Sequence, residues 1–192
     1  MTPVTHPLLT LMRHGQVELP TDVCFGWTDV ALSTSGRDHV FELAKNWAGP
    51  KPSKIWCSDL QRSHETANIL ADTFSIPYQC ATGLREIHFG EWEGRSWDEI
   101  YRNDTDAMQH WGEHWQTVAP PGGETAAQLM HRVVTCYQIL CAEDVREEDR
   151  VLLTAHSGSL RALSCHLQDQ SIERFFDRRF DHAVPSPILT FE

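Results

Sequence analysis

The stretch Leu8-Leu9-Thr10-Leu11-Met12-Arg13-His14-Gly15 decides the fold. An apolar run ends in a cation, an imidazole and a glycine. A run that is apolar on both faces suits a strand buried inside a parallel sheet. Arg13 and His14 then fall at its carboxyl end, where open α/β sheets place ligands. Gly15 permits a turn and a close backbone approach. The pattern returns late in the chain, where Val151-Leu152-Leu153-Thr154-Ala155 is followed by His156-Ser157-Gly158. If these two strands are neighbours, two imidazoles meet at one sheet edge.

The segments between them alternate in type. Ser33 caps a helix that runs to about Ala48, and Gly49-Pro50 stops it. Lys54 to Ser58 reads as a strand, Leu60 to Phe74 as a helix, and Pro77 to Cys80 as a short extended piece. Thr125 with Gln128 opens a helix to about Cys141, and a helix from Ser159 to about Gln168 follows the second histidine. The acidic run Glu143 to Asp149 reads as a solvated loop, and Ile188 to Phe191 as a last strand.

Arg85 to Pro121 holds four of the seven tryptophans: Trp92, Trp97, Trp111 and Trp115. It reads as an excursion that covers a site, with Ser96 and Glu99 opening a short helix. The expected fold is α/β, a three-layer sandwich with a mostly parallel central sheet flanked by helices. Residues 1–192 form a single domain, and 85–121 its small helical covering segment.

Composition narrows the partners. A net charge of −11 argues against a nucleic-acid binder. No apolar segment approaches the ~20 residues of a membrane span. Met1 to Pro7 lacks the basic start and apolar core of a signal peptide. The six cysteines form no C-x-x-C pair, which suits free thiols in a reducing cytoplasm. The expectation is a cytoplasmic protein acting on a small anionic metabolite.

The residues for that chemistry are Arg13, His14, Arg62 and His156. Arg62 lies in the first turn after the second strand and can face the same edge as the histidines. A guanidinium fork matches two phosphate oxygens at once. Backbone N–H groups near Ser157 and Gly158, at a helix start, add donors. One competing pattern is His110-Trp111-Gly112-Glu113-His114, an H-x-x-E-H zinc-peptidase arrangement. Gly112 weakens a helix there, and no third ligand is identifiable.

Taken together, these motifs resemble the histidine phosphatase (phosphoglycerate mutase-like) superfamily. Leu11-Met12-Arg13-His14-Gly15 is similar to its R-H-G signature. Ser58-Asp59-Leu60-Gln61-Arg62-Ser63-His64-Glu65-Thr66-Ala67 fits its S-x-L-x-R-x-x-x-T-A pattern at every fixed position. Leu84 to Gly94 resembles L-x-E-x-x-F-G-x-x-E-G, Gly122-Gly123-Glu124 resembles the G-G-E turn, and His156 the second histidine. The resemblance implies that His14 accepts the phosphoryl group. It implies that Arg13, Arg62, His156 and Ser157 bind the substrate, with His156 protonated, and that Glu86 donates and later removes a proton. Burial beneath the tryptophan-rich segment would help Glu86 hold that proton. It implies no metal and no cofactor.

Two places refine the likeness. Many relatives continue the first motif with a threonine and an asparagine where this chain has Val17 and Pro20, so the phosphate loop differs, and Gln16 is a substitute donor to consider. Cys24-Phe25-Gly26-Trp27-Thr28-Asp29 to Leu32 resembles a stretch of α-ribazole phosphatases. That implies α-ribazole 5′-phosphate as substrate, in cobalamin nucleotide-loop assembly, with a tryptophan of the covering segment stacking on the base. The alternatives are a broad-specificity phosphatase, a phosphoglycerate mutase-type phosphotransferase, and a non-catalytic phosphate-binding protein. Oligomeric state and the reach of Arg174, Arg178 and Arg179 stay open.

Overall fold

The structure is a computed structural model that describes residues 8–146 and 148–188. The reading of Met1 to Pro7, and most of the expected last strand, lies outside those residues. The strands are β1 (Leu8–Arg13), β2 (Lys54–Ser58), β3 (Tyr78–Ala81), β4 (Arg150–Ala155) and β5 (Ser186–Pro187). The helices are α1 (Thr34–Lys45), α2 (Gln61–Phe74), α3 (Trp97–Asn103), α4 (Thr105–His114), α5 (Ala126–Asp144) and α6 (Ser157–Leu167).

The sheet order is β3-β2-β4-β1-β5. β1 lies parallel to β4, with Arg13 opposite Ala155. β2 lies parallel to both β3 and β4. Among the described residues only β5 runs antiparallel, on the outer edge of β1. The two strands that end in histidine are therefore neighbours in register.

Alternation along each strand feeds two cores. On one face Met12, Ile55, Cys57 and Leu152 pack with Val40 and Ala44 of α1 and Ala67 and Leu70 of α2. On the other, Leu11, Trp56, Val151 and Leu153 meet Leu129 and Val133 of α5 and Leu160 and Leu163 of α6. This is the expected three-layer arrangement, and it explains why β1 and β4 are apolar on both faces.

Helix starts follow the local chemistry. Ser33 accepts the Gly36 N–H at 3.0 Å, and Thr125 and Gln128 form a reciprocal capping box. α2 takes its cap from a distance, because Asp29 Oδ1 accepts the Gln61 N–H at 2.7 Å.

Three expectations need correction. The covering excursion holds two helices, α3 and α4, with a small core of its own. The start of the acidic run belongs to α5, and its end is tied down. Asp149 pairs with Lys54 at 3.0 Å and accepts the Ser53 hydroxyl at 2.9 Å, so it is not a free loop residue. The edge strand β5 pairs Ser186 and Pro187 with Leu11 and Thr10, and Ile188, the one described residue of the expected last strand, donates to the Leu9 carbonyl at 2.9 Å. α6 starts at Ser157, which puts His156 itself at the N-cap.

Candidate active site

The parallel register brings the two histidines together. His14 donates its backbone N–H to Ala155 at 3.0 Å, and the His14 and His156 ring centroids lie 5.1 Å apart. A third imidazole, His182, sits 5.1 Å from His14 on another side. Its Nδ1 faces the His14 carbonyl at 3.0 Å. The sequence reading missed His182. The only available signal was a histidine just before the edge strand, in a segment without periodicity.

His14 has a defined tautomer. Its Nδ1 lies 2.7 Å from the Gly15 carbonyl, which can only accept, so Nδ1 carries the proton. The lone pair is left on Nε2. Thr66 secures the turn, because its hydroxyl accepts the Gly15 N–H at 3.0 Å and donates to the Arg62 carbonyl at 2.7 Å. A side chain on Gly15 would meet Val40 Cγ2 at 2.8 Å.

Arg62 is fully buried. Its terminal nitrogens donate to the carbonyls of Gly26 at 2.7 Å and Thr28 at 3.0 Å, and its guanidinium lies over the Phe25 ring. The loop from Cys24 to Asp29 thus holds Arg62 in place. Gly26 is needed there, since a Cβ would sit 2.0 Å from the Ile87 carbonyl. Arg13 reaches the Phe180 carbonyl at 3.5 Å. Four buried polar atoms around His14 have no partner among the described residues: Arg13 Nε, Arg62 Nε and both ring nitrogens of His156. Orphaned buried groups of this kind are rare and ask for an explanation.

Burial lowers Arg13, Arg62 and the three histidines His14, His156 and His182. It brings Arg62 down to about 10, so the guanidinium is still cationic near neutrality. Burial, then the charges of Arg62 and Arg13, push His14 well below 6.5. Burial, then Arg62, then His14 do the same to His156. The direction of both shifts favours the neutral imidazole.

Glu86 is half-buried rather than enclosed, which corrects the expected burial. Its Oε1 accepts its neighbour Ile87 N–H at 2.9 Å, and its Oε2 accepts the Gly158 N–H at 3.1 Å. The carbonyl of Glu86 is held as well, by the Trp27 indole at 2.7 Å and by Arg132 at 3.2 Å. Ser157 lies at the first turn of α6, half-buried, beside Glu86.

Other motif residues serve the scaffold. Glu93 accepts N–H groups from Trp27 at 2.8 Å and Phe89 at 3.1 Å, and the Thr28 hydroxyl at 2.6 Å. Burial would raise its carboxyl, but these bonds hold it below the ordinary value. Glu124 accepts the His88 N–H at 3.0 Å and pairs with Arg132. Val17 is buried and bridges to Leu32, so the departure in the first motif closes a small antiparallel pair. Gln16 points to solvent.

The basic residues near the cover are engaged elsewhere. Arg85 pairs with Asp59, and Arg95 with Asp104 and Glu99. Arg102 bonds the Asp98 carbonyl of its own helix. Arg174 and Arg179 pair with Asp177 and Asp181 on the surface, while Arg178 donates to Ser164. His110 and His114 lie 5.0 Å apart on α4. Among the described residues they join no cluster of three potential metal ligands. Trp92 is fully buried, and Trp97 and Trp111 pack against it in the cover's core.

Fold and geometry define an α/β protein with a buried, histidine-centred, cation-lined site. The model of the histidine phosphatase superfamily (branch 1) matches residues 9–191. A 2,3-bisphosphoglycerate-dependent phosphoglycerate mutase of Afipia carboxidovorans is 30% identical, over 93% of this chain and 89% of the mutase. The adenosylcobalamin/α-ribazole phosphatase of Escherichia coli K12 is 26% identical, over 94% of this chain and 88% of that protein. The crystal structure of the α-ribazole phosphatase from Shigella flexneri has the same fold. Its TM-score is 0.84 at 24% identity, covering 93% of this chain and 88% of the other. The chain belongs to the histidine phosphatase superfamily and is a phosphatase. No described helix is long and apolar enough to cross a membrane.

Proposed function

We propose that the chain hydrolyses phosphomonoesters through a phosphohistidine at His14 Nε2. The observation that carries this reading is the free Nε2 lone pair set among buried donors that lack partners. An entering phosphoryl group supplies acceptors to Arg13, Arg62 and His156, and their charge and N–H groups meet the charge on its oxygens. Nε2 forms a bond to phosphorus as the bond to the leaving oxygen breaks, and Glu86 gives that oxygen a proton. Glu86 then takes a proton from water. The water oxygen bonds to phosphorus, the N–P bond breaks, and phosphate leaves.

Hydrolysis is favoured over mutase chemistry by the state of the cover's cations. A mutase needs positive charge for the carboxylate of its substrate, and Arg85, Arg95 and Arg102 are all engaged within the protein.

For the substrate, we propose α-ribazole 5′-phosphate. Support comes from the Cys24 to Leu32 stretch and from the similarity to the Escherichia coli phosphatase. The test compares turnover of α-ribazole 5′-phosphate with a panel of sugar and nucleotide monophosphates. A clear preference for the ribazole ester is expected. Equal or faster turnover of the panel removes this substrate and leaves a general phosphatase.

A further inference from the structure

A cavity of about 190 Å³ opens beside Glu86. Its walls are largely aromatic: Phe89 and Trp111 from the cover, Trp115 just past α4, and Phe175 and Phe176 from the segment after α6. The Trp115 ring lies 4.8 Å from Phe176 and 5.4 Å from Phe175. Phe176 keeps much of its surface exposed despite this packing. One cation lines the cavity, Arg161, one helical turn beyond Ser157 on the same face of α6.

Arg161 is built in. Its guanidinium lies 5.3 Å from the Phe176 ring and 5.9 Å from Phe175, and its Nε donates to the Arg178 carbonyl at 2.9 Å. Neither terminal nitrogen has a hydrogen-bond partner among the described residues. A half-buried fork fixed at its stem, with its tip unpaired, is prepared for an acceptor brought by a ligand.

We propose that this cavity is the leaving-group subsite and that it selects alcohols carrying a flat heteroaromatic ring. The ring lies against Trp115 and Phe176, and Arg161 donates to the acceptor atoms on its edge. The position beside Glu86 is the required one, because the group that protonates the leaving oxygen must border the leaving group. The size also suits a small ring system: an apolar cavity of about 150 Å³ accepts benzene. Of the four tryptophans in the cover, Trp92 and Trp97 are spent on its core, and Trp115 has the free wall. The inference rests on the catalytic reading of His14 and extends it to the other half of the substrate.

The test uses the full chain and two esters that share phosphate and sugar and differ by a ring, inosine 5′-phosphate and ribose 5-phosphate. Wild type is expected to favour inosine 5′-phosphate in kcat/KM by about tenfold or more, the scale of one stacked base. Trp115→Ala and Arg161→Met should each bring the ratio to within about threefold of one. Trp115→Phe keeps a flat wall and should keep most of the preference. A wild-type ratio near one, or a ratio that survives both substitutions, overturns the subsite. Undiminished hydrolysis of both esters by His14→Ala overturns the catalytic reading instead. If α-ribazole 5′-phosphate proves no better than inosine 5′-phosphate, only the identity of the ring is lost.

Discussion

Gly158 donates its backbone N–H to Glu86 Oε2 at 3.1 Å, and a Cβ on Gly158 would sit 2.2 Å from Glu86 Oε1. The helix that begins at the second histidine therefore fixes the proposed proton donor. Gly158→Ala must push the carboxylate away while leaving Arg13, Arg62 and His14 in place. We expect kcat to fall with little change in the affinity for inorganic phosphate as inhibitor. Glu86→Gln should lower turnover of alkyl phosphates by about 10²–10⁴-fold. In kcat/KM, which reports the transfer to His14 and not the later water step, it should cost far less with p-nitrophenyl phosphate, whose leaving group needs no proton. Equal losses in kcat/KM on both ester types would place Glu86 outside protonation of the leaving oxygen.

Thr66 joins the phosphate loop to the arginine helix by accepting from Gly15 and donating to the Arg62 carbonyl. Thr66→Val keeps the shape and removes both bonds. It leaves the buried Gly15 N–H unpaired, at a cost of about 1–3 kcal/mol. Urea unfolding should show that loss, together with a fall in kcat/KM. A variant as stable and as active as wild type would show that this link does not matter.

Much of this was legible beforehand, for physical reasons. β1 and β4 announced themselves because a strand buried on both faces has to be apolar throughout. Arg62 and Thr66 sit four residues apart on α2, so helix geometry alone aims them at one edge. Other features depend on tertiary contacts that leave no local mark. His182 reaches the site only because its segment runs back along the end of β1, bridging to Arg13. Arg161 takes its place from the segment at Phe175 and Phe176, which packs its rings against the guanidinium. The carboxylate partners of Arg85 and Arg95 are likewise set by folding of the cover and the Asp59 turn.

Acid should destabilise the protein through its histidines. His14, His156 and His182 are all held below 6.5, in each case first by burial. Below about pH 6.5 the unfolded chain binds more protons than the folded one, so stability is lost as pH falls. The limiting slope is about 1.4 kcal/mol per pH unit for each histidine, and no such loss arises above that pH. Sulfate, a dianion across this range, should restore stability by favouring charged rings and pairing with Arg13 and Arg62. Its effect on the melting temperature is expected to grow from pH 7.5 to 5.5. A sulfate shift that stays constant or shrinks toward acid contradicts this picture of neutral, anion-responsive histidines.

The central claim is a covalent bond between His14 and phosphorus. The direct measurement is rapid quenching of the enzyme during turnover of a ³²P-labelled monoester, followed by peptide mapping under alkaline conditions. The account predicts an acid-labile, alkali-stable label on the peptide that carries His14, absent from His14→Ala and preserved in His64→Ala and His182→Ala. A label that persists in His14→Ala, or that maps to another histidine, contradicts it.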